Sequence, residues 1–164
     1  MTQRTLNTDS PWLLVLLASL VALGPLTVDM YLPALPGMLE DFSSTTSRVQ
    51  PTLSSYLVGF ALFHLVCGPL ADRFGRKPVL IGGFSLFIAA SLGCAQANSI
   101  DELILYRFLQ GVGACVGPTL GRAIARDVFG PRRAARALAQ IAMIMALAPA
   151  VAPTLGGFLL QFFH

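Results

Sequence analysis

The chain has 164 residues, of which 55% are hydrophobic and only 12% charged, and its mean hydropathy is +0.71. A soluble domain carries about a quarter charged residues, so the composition argues against a water-soluble enzyme or binding domain. Apolar runs of membrane length joined by short polar loops predict an all-α, polytopic transmembrane bundle.

Five runs are long enough to cross a bilayer: residues 12–36, 49–70, 79–97, 103–123 and 138–163. The first opens at Pro11-Trp12, where a tryptophan suits the interface, and it exits through a proline-rich stretch ending in Pro36-Gly37. It runs well past the 7–15 residues of a signal-peptide core and lacks a clear cleavage site before Asp29, so it is expected to be a retained span. A polar loop over 43–47 leads to the second span, which is expected to finish at Gly68-Pro69. Gly82 and Gly83 open the third, where Ala89, Gly93 and Ala97 form a stripe of small residues at spacing four. Gly113, Gly117 and Gly121 repeat that stripe in the fourth span, and Ala148, Ala152 and Gly156 in the fifth. Small residues on one face let helices approach closely in lipid, so the stripes predict a tight bundle. Between the fourth and fifth spans, the basic segment 130–136 suits a short interfacial helix.

Charge sorts the connections into two sets. Arg4, then Arg73, Arg76 and Lys77, then Arg122, Arg126, Arg132, Arg133 and Arg136 make up nine of the eleven basic residues, all in alternate segments. The opposite segments hold Arg48 beside Glu40, Asp41, Asp101 and Glu102. The positive-inside rule then places the N-terminus in the cytoplasm. A basic surface for nucleic acid would not alternate this way, and no nucleic-acid partner is expected. Cys67, Cys94 and Cys115 fall in three different spans without metal spacing, so they read as small packing residues. No metal, cofactor or catalytic nucleophile–base pair is indicated, and an enzyme is not expected.

Two formal charges lie deep within spans, Asp29 and Arg107. Ionisable groups in hydrocarbon face a cavity and mark ion or substrate pathways. Counted from the outer ends of their spans, Asp29 is about 10 Å deep and Arg107 about 9 Å, so the two can meet if their helices are neighbours. Such a pair reads either as a protonation switch or as a structural ion pair. Gln110, Ala114, Pro118 and Gly121 continue the Arg107 face as a small, polar wall. His64, mid-span, reads either as a proton relay or as a neutral histidine bonded to a neighbouring helix. Asp72, Arg73, Arg76 and Lys77 in the charged turn, with Asp127 nearby, read as topological charges or as an ionic latch.

Several stretches resemble one family. Residues 68–80, including Gly68, Asp72, Arg73, Gly75 and Arg76, look like the GxLaDrxGrkxxL loop of major facilitator superfamily transporters. Residues 103–113 resemble the RxxQGxGaa motif of the family's fourth span. Residues 148–157, with Pro149, Pro153, Gly156 and Gly157, are similar to the gxxxGPxxGG motif of its drug:proton antiporters, with alanine replacing glycine at 148 and 152. Residues 27–36, Asp29 and Tyr31 among them, look like the first-span signature of the Bcr/CflA drug exporters. His64 stands where relatives often carry glutamine.

The resemblance implies proton-coupled efflux of small drug-like molecules across a bacterial inner membrane. It makes Arg107 the buried arginine of proton coupling, Asp29 a proton- or substrate-responsive acid, and Asp72, Arg76 and Asp127 a cytoplasmic latch; Gln110, Tyr31 and His64 are further candidates for proton coupling or substrate. Uptake by proton symport and a non-transporting regulatory fragment are the alternatives. The family has twelve spans in two halves with substrate between them. A chain ending after five spans is therefore expected to be incomplete and to need a second transporter half, with protons, a drug-like substrate and the lipid bilayer as its other partners.

Overall fold

A computed structural model describes residues 11–41 and 45–162. The described residues form α1 (Pro11–Tyr31), a 3-10 turn (Leu32–Ala34), α2 (Leu35–Asp41), α3 (Thr46–Phe74), α4 (Arg76–Ala95), α5 (Ile100–Ala114) and α6 (Val116–Phe162), with no strand among them. Among the described residues, five helical stretches are long and apolar enough to cross a membrane: Trp12–Met38, Thr46–Phe74, Arg76–Ala95, Ile100–Gly130 and Arg132–Phe158. Five spans were expected and five are present, in the same order.

The ends differ from the expected ones. Proline does close α1, since Pro33 sits in the 3-10 turn, yet helix resumes immediately as α2. The second span does not stop at Gly68-Pro69. It runs on to Phe74 with Pro51 and Pro69 inside it. A proline forfeits one helical hydrogen bond, whereas ending the helix within lipid would strand several carbonyls with no water to satisfy them. The charged hairpin thus contracts to one non-helical residue, Gly75, at φ 90° and ψ 154°. This is a region open in practice only to glycine, and the Gly75 amide still caps α3 by donating to the Ala71 carbonyl at 2.9 Å.

The fourth span gives up one helical hydrogen bond near its middle. Pro118 has no N–H for the Ala114 carbonyl, and Cys115 alone separates α5 from α6 while keeping a helical backbone at φ −64° and ψ −22°. No separate interfacial helix forms over 130–136. Gly130, at φ 66° and ψ 173°, kinks α6, and the basic segment becomes the first turns of the fifth span. Ala134 and Ala137 are buried there, so this face packs and does not lie on the interface.

The fourth span is the centre of the bundle. In its most apolar stretch 61% is buried, against 6–28% in the other four spans. Helices α3 and α4 flank α5, while α1 lies along α6. Its glycines serve three neighbours and not one stripe. A Cβ on Gly111 would meet the Tyr56 carbonyl of α3, and one on Gly113 would lie 2.7 Å from the Gly83 carbonyl of α4. At Gly117 it would strike the Leu20 carbonyl of α1, and at Gly121 it would lie 2.7 Å from the Val21 side chain. The third-span stripe is only partly used: Gly93 abuts Tyr106, but Ala89 is exposed and Ala97 falls beyond α4. In the fifth span Ala152 is buried and Gly156 crosses α1 at Met30; the Ala148 side chain lies outside the described set.

Candidate functional site

Ser99 starts α5 as an N-cap by accepting the Glu102 amide at 3.3 Å, while the Glu102 carboxylate accepts the Asn98 amide at 3.0 Å. Two turns further along α5, Arg107 enters the centre of the bundle with 9% of its surface exposed. Its Nη1 donates to Gln110 Oε1 at 3.0 Å, and Gln110 Nε2 donates to Ser91 Oγ of α4 at 2.8 Å. The Ser91 hydroxyl passes its own proton to the Phe87 carbonyl at 2.7 Å. Every donor in this relay points away from Arg107, which holds the Gln110 amide in one orientation.

Above the guanidinium lies Tyr31. The Arg107 Cζ atom is 3.4 Å from the centroid of the tyrosine ring, a cation–π contact that matters most where water is excluded. The Tyr31 hydroxyl bonds Thr52 Oγ1 at 2.6 Å, and the Thr52 hydroxyl proton goes to the Val49 carbonyl at 2.6 Å. Tyr31 is therefore the donor to Thr52. One arginine is thus tied to the first span through Tyr31, the second through Thr52 and the third through Ser91. Its Nε is buried with no hydrogen-bond partner.

Asp29 and Arg107 do not pair. Asp29 lies half-buried in the last turn of α1, two residues before Tyr31, and it makes no ion pair with Arg107. Successive residues of a helix point about 100° apart, and it is the Tyr31 direction that faces α5. The arginine charge is met by a π face and an amide oxygen, with no carboxylate in contact.

His64 is half-buried on α3. Its Nδ1 is 2.9 Å from Thr119 Oγ1, and its ring stacks on Phe60 at 5.7 Å. Phe60 stacks in turn on Tyr56, whose hydroxyl donates to the Gly24 carbonyl of α1 at 3.0 Å. Among the described residues no hydrogen bond joins His64 to the Arg107 relay.

At the opposite end of the bundle, Arg76 forms an ion pair with Asp127, joining the second-to-third turn to the end of the fourth span. Asp72 and Arg73 are exposed, and the Arg73 guanidinium lies 5.5 Å from the Phe74 ring centroid. Gly68 lies inside α3, where a Cβ would meet nothing within 4 Å. In the fifth span Pro149 is exposed and Pro153 half-buried, whereas Gly156 is buried with space for no side chain, since a Cβ would lie 2.7 Å from the Met30 carbonyl. Gly157 is open. The fifth-span glycine motif thus touches the segment carrying Asp29 and Tyr31.

Thr52 and Ser91 were not foreseen as members of the site. Each is a hydroxyl in an apolar span, a weak signal, because a helical Ser or Thr more often bonds its own helix.

Spanning helices wrapped around a buried arginine and a polar relay make this a multi-pass membrane protein. Residues 17–164 match the Major Facilitator Superfamily, and the chain belongs to that family of transporters. It is 46% identical over 146 residues to an uncharacterized MFS-type transporter, YdgK, of Bacillus subtilis, covering 88% of this chain and 36% of that protein. It is 35% identical over 148 residues to a bicyclomycin resistance protein homolog of Haemophilus influenzae, covering 90% of this chain and 37% of the relative. Against the multidrug resistance protein MdtL of Klebsiella pneumoniae the identity is 41% over 138 residues, covering 84% and 35%. The chain spans a little over a third of the length of these curated relatives.

Proposed function

We propose that this chain provides spans one to five of a proton-coupled exporter of small drug-like molecules in a bacterial inner membrane, with its N-terminus in the cytoplasm. Relatives named for multidrug and bicyclomycin resistance support the substrate class. The alternation of basic connections supports the orientation. A second transporter half supplies the other wall of the substrate cavity.

The observation that carries the reading is the Arg107 guanidinium, buried without a contacting carboxylate and roofed by Tyr31. A cation held by dipoles and a π face is poised to respond to a nearby charge, because its solvation is incomplete. Asp29 supplies that charge from the same turn of α1 as Tyr31. Ionised, it draws the arginine towards α1. Protonated from outside, it releases that pull, and the Tyr31 roof shifts with it. Gly156 lies against Met30, between Asp29 and Tyr31 in sequence, so this movement reaches the fifth span, whose prolines and glycines allow it to bend. At the inner end the Arg76–Asp127 pair, with Asp72 beside it, closes and opens as the two halves rock. Gln110 keeps the arginine aimed, and His64 supports the packing of the second span on the fourth.

The test uses a complete transporter carrying this chain as its first five spans, in everted membrane vesicles. An imposed proton gradient is expected to drive drug into the vesicles, with protons moving the opposite way. Asp29→Asn and Arg107→Ala are each expected to abolish that uptake at normal expression. Normal transport in both variants would overturn the proton switch, and drug and proton moving together would establish symport.

A further inference from the structure

A groove between the second and third spans has no part in the network above. Phe63, Leu70 and Phe74 of α3 face Val79 and Leu86 of α4 across a cavity of 340 Å³, with Val112 of α5 as its floor. That volume is in the range of small-ligand sites, yet its lining offers no polar side chain to orient a drug. Gly82 also lines it, and a Cβ built there meets nothing within 4 Å. The groove is therefore left open by the missing side chain of Gly82, whereas the neighbouring Gly83 would strike Val116.

Its length and its end are informative. From Phe63 to Phe74 is about 16 Å along the helix, about half the thickness of the hydrocarbon core. The groove is thus one leaflet deep, from mid-span to the charged turn. A spanning helix of this or another chain would need a groove the full depth of the membrane. At the polar end Phe74 forms the wall, with the Arg73 guanidinium 5.5 Å from its ring, and Lys77 precedes Pro78, which also lines the groove. Arg73 and Lys77 are exposed, and neither forms an ion pair with a described residue; Asp72 is the one adjacent acid, while Arg76 is engaged by Asp127.

We propose that this groove holds one acyl chain of an anionic phospholipid of the cytoplasmic leaflet, with its headgroup on Arg73 and Lys77. The chain fills the apolar slot, and two unpaired cations near the surface favour an anionic headgroup over a zwitterionic one. The lipid would brace the turn that carries Arg76, tying the gate to membrane composition. The assignment rests on the orientation proposed above.

Native mass spectrometry of the purified protein, titrated with phosphatidylglycerol or phosphatidylcholine of matched chains, tests it. A retained phosphatidylglycerol adduct is expected, and Gly82→Leu is expected to remove it by filling the slot, while Gly82→Ala keeps most of it. The Arg73→Gln/Lys77→Gln pair should weaken phosphatidylglycerol roughly tenfold and leave phosphatidylcholine unchanged. Melting temperatures of the variants show whether each is folded. Absence of headgroup preference in the unsubstituted protein, or an undiminished adduct in folded Gly82→Leu, would overturn the proposal. Labelling of Lys77→Cys, in a background with the three native cysteines changed to alanine, reports orientation separately. Reaction from the cytoplasmic face is expected, and reaction only from the outer face would overturn both the orientation and the leaflet.

Discussion

Removing the Tyr31 hydroxyl and removing its ring break different contacts. Tyr31→Phe loses only the bond to Thr52 and is expected to cost about 1 kcal/mol. Tyr31→Leu also loses the face over Arg107, adding about 2 kcal/mol in a water-excluded site. Thermal melting of the purified protein orders the two, and equal melting temperatures would show that the ring does not hold the arginine. The importance of this tyrosine was only partly legible in the sequence. Arg107 and Gln110 stand out because charged and amide side chains are rare in lipid. A tyrosine near the end of a span is ordinary, and its role depends on which neighbour its direction selects. For the same reason Asp29 drew attention as a partner for Arg107 that the packing does not give it.

Among the helices, glycines sort by what surrounds them. Gly113→Ala brings a methyl within 2.6 Å of the Phe87 amide nitrogen. Because that neighbour is backbone and cannot give way, the change is expected to cost about 1–3 kcal/mol. Gly68→Ala meets nothing within 4 Å and should leave stability unchanged or raise it by up to about 1 kcal/mol. Expression yield and melting temperature check both. If Gly68→Ala folds normally but slows transport in the complete protein, the role of Gly68 within α3 is functional and not one of packing. Spacing alone assigned Gly113, Gly117 and Gly121 to one face. The span lies among several helices, so Gly113 meets α4 while Gly117 and Gly121 meet α1.

At the scale of the whole bundle, the Arg76–Asp127 pair connects two turns far apart in sequence. Side chains 32% and 59% exposed gain little from an ion pair, about 1 kcal/mol at most, so its purpose in the proposed cycle is to set a conformation. Asp127→Asn is expected to impair efflux in the complete transporter while leaving the melting temperature almost unchanged. The charge-swapped Arg76→Asp/Asp127→Arg protein should recover part of the activity. Failure of the swap to exceed either single variant would show that the pair is not a switch.

The number, order and apolar character of the described spans were determined by the sequence itself, because a bilayer imposes one length and one solvent on every crossing. The family motifs were equally plain in the residues. Where each helix stops was not, because prolines that end helices in water are carried through when lipid offers the backbone no other partner. The neighbours of Arg107 were decided only by tertiary structure. Periodicity says which residues share a face, but the turns at Gly75 and Gly130 and the crossing at Gly156 determine what that face meets.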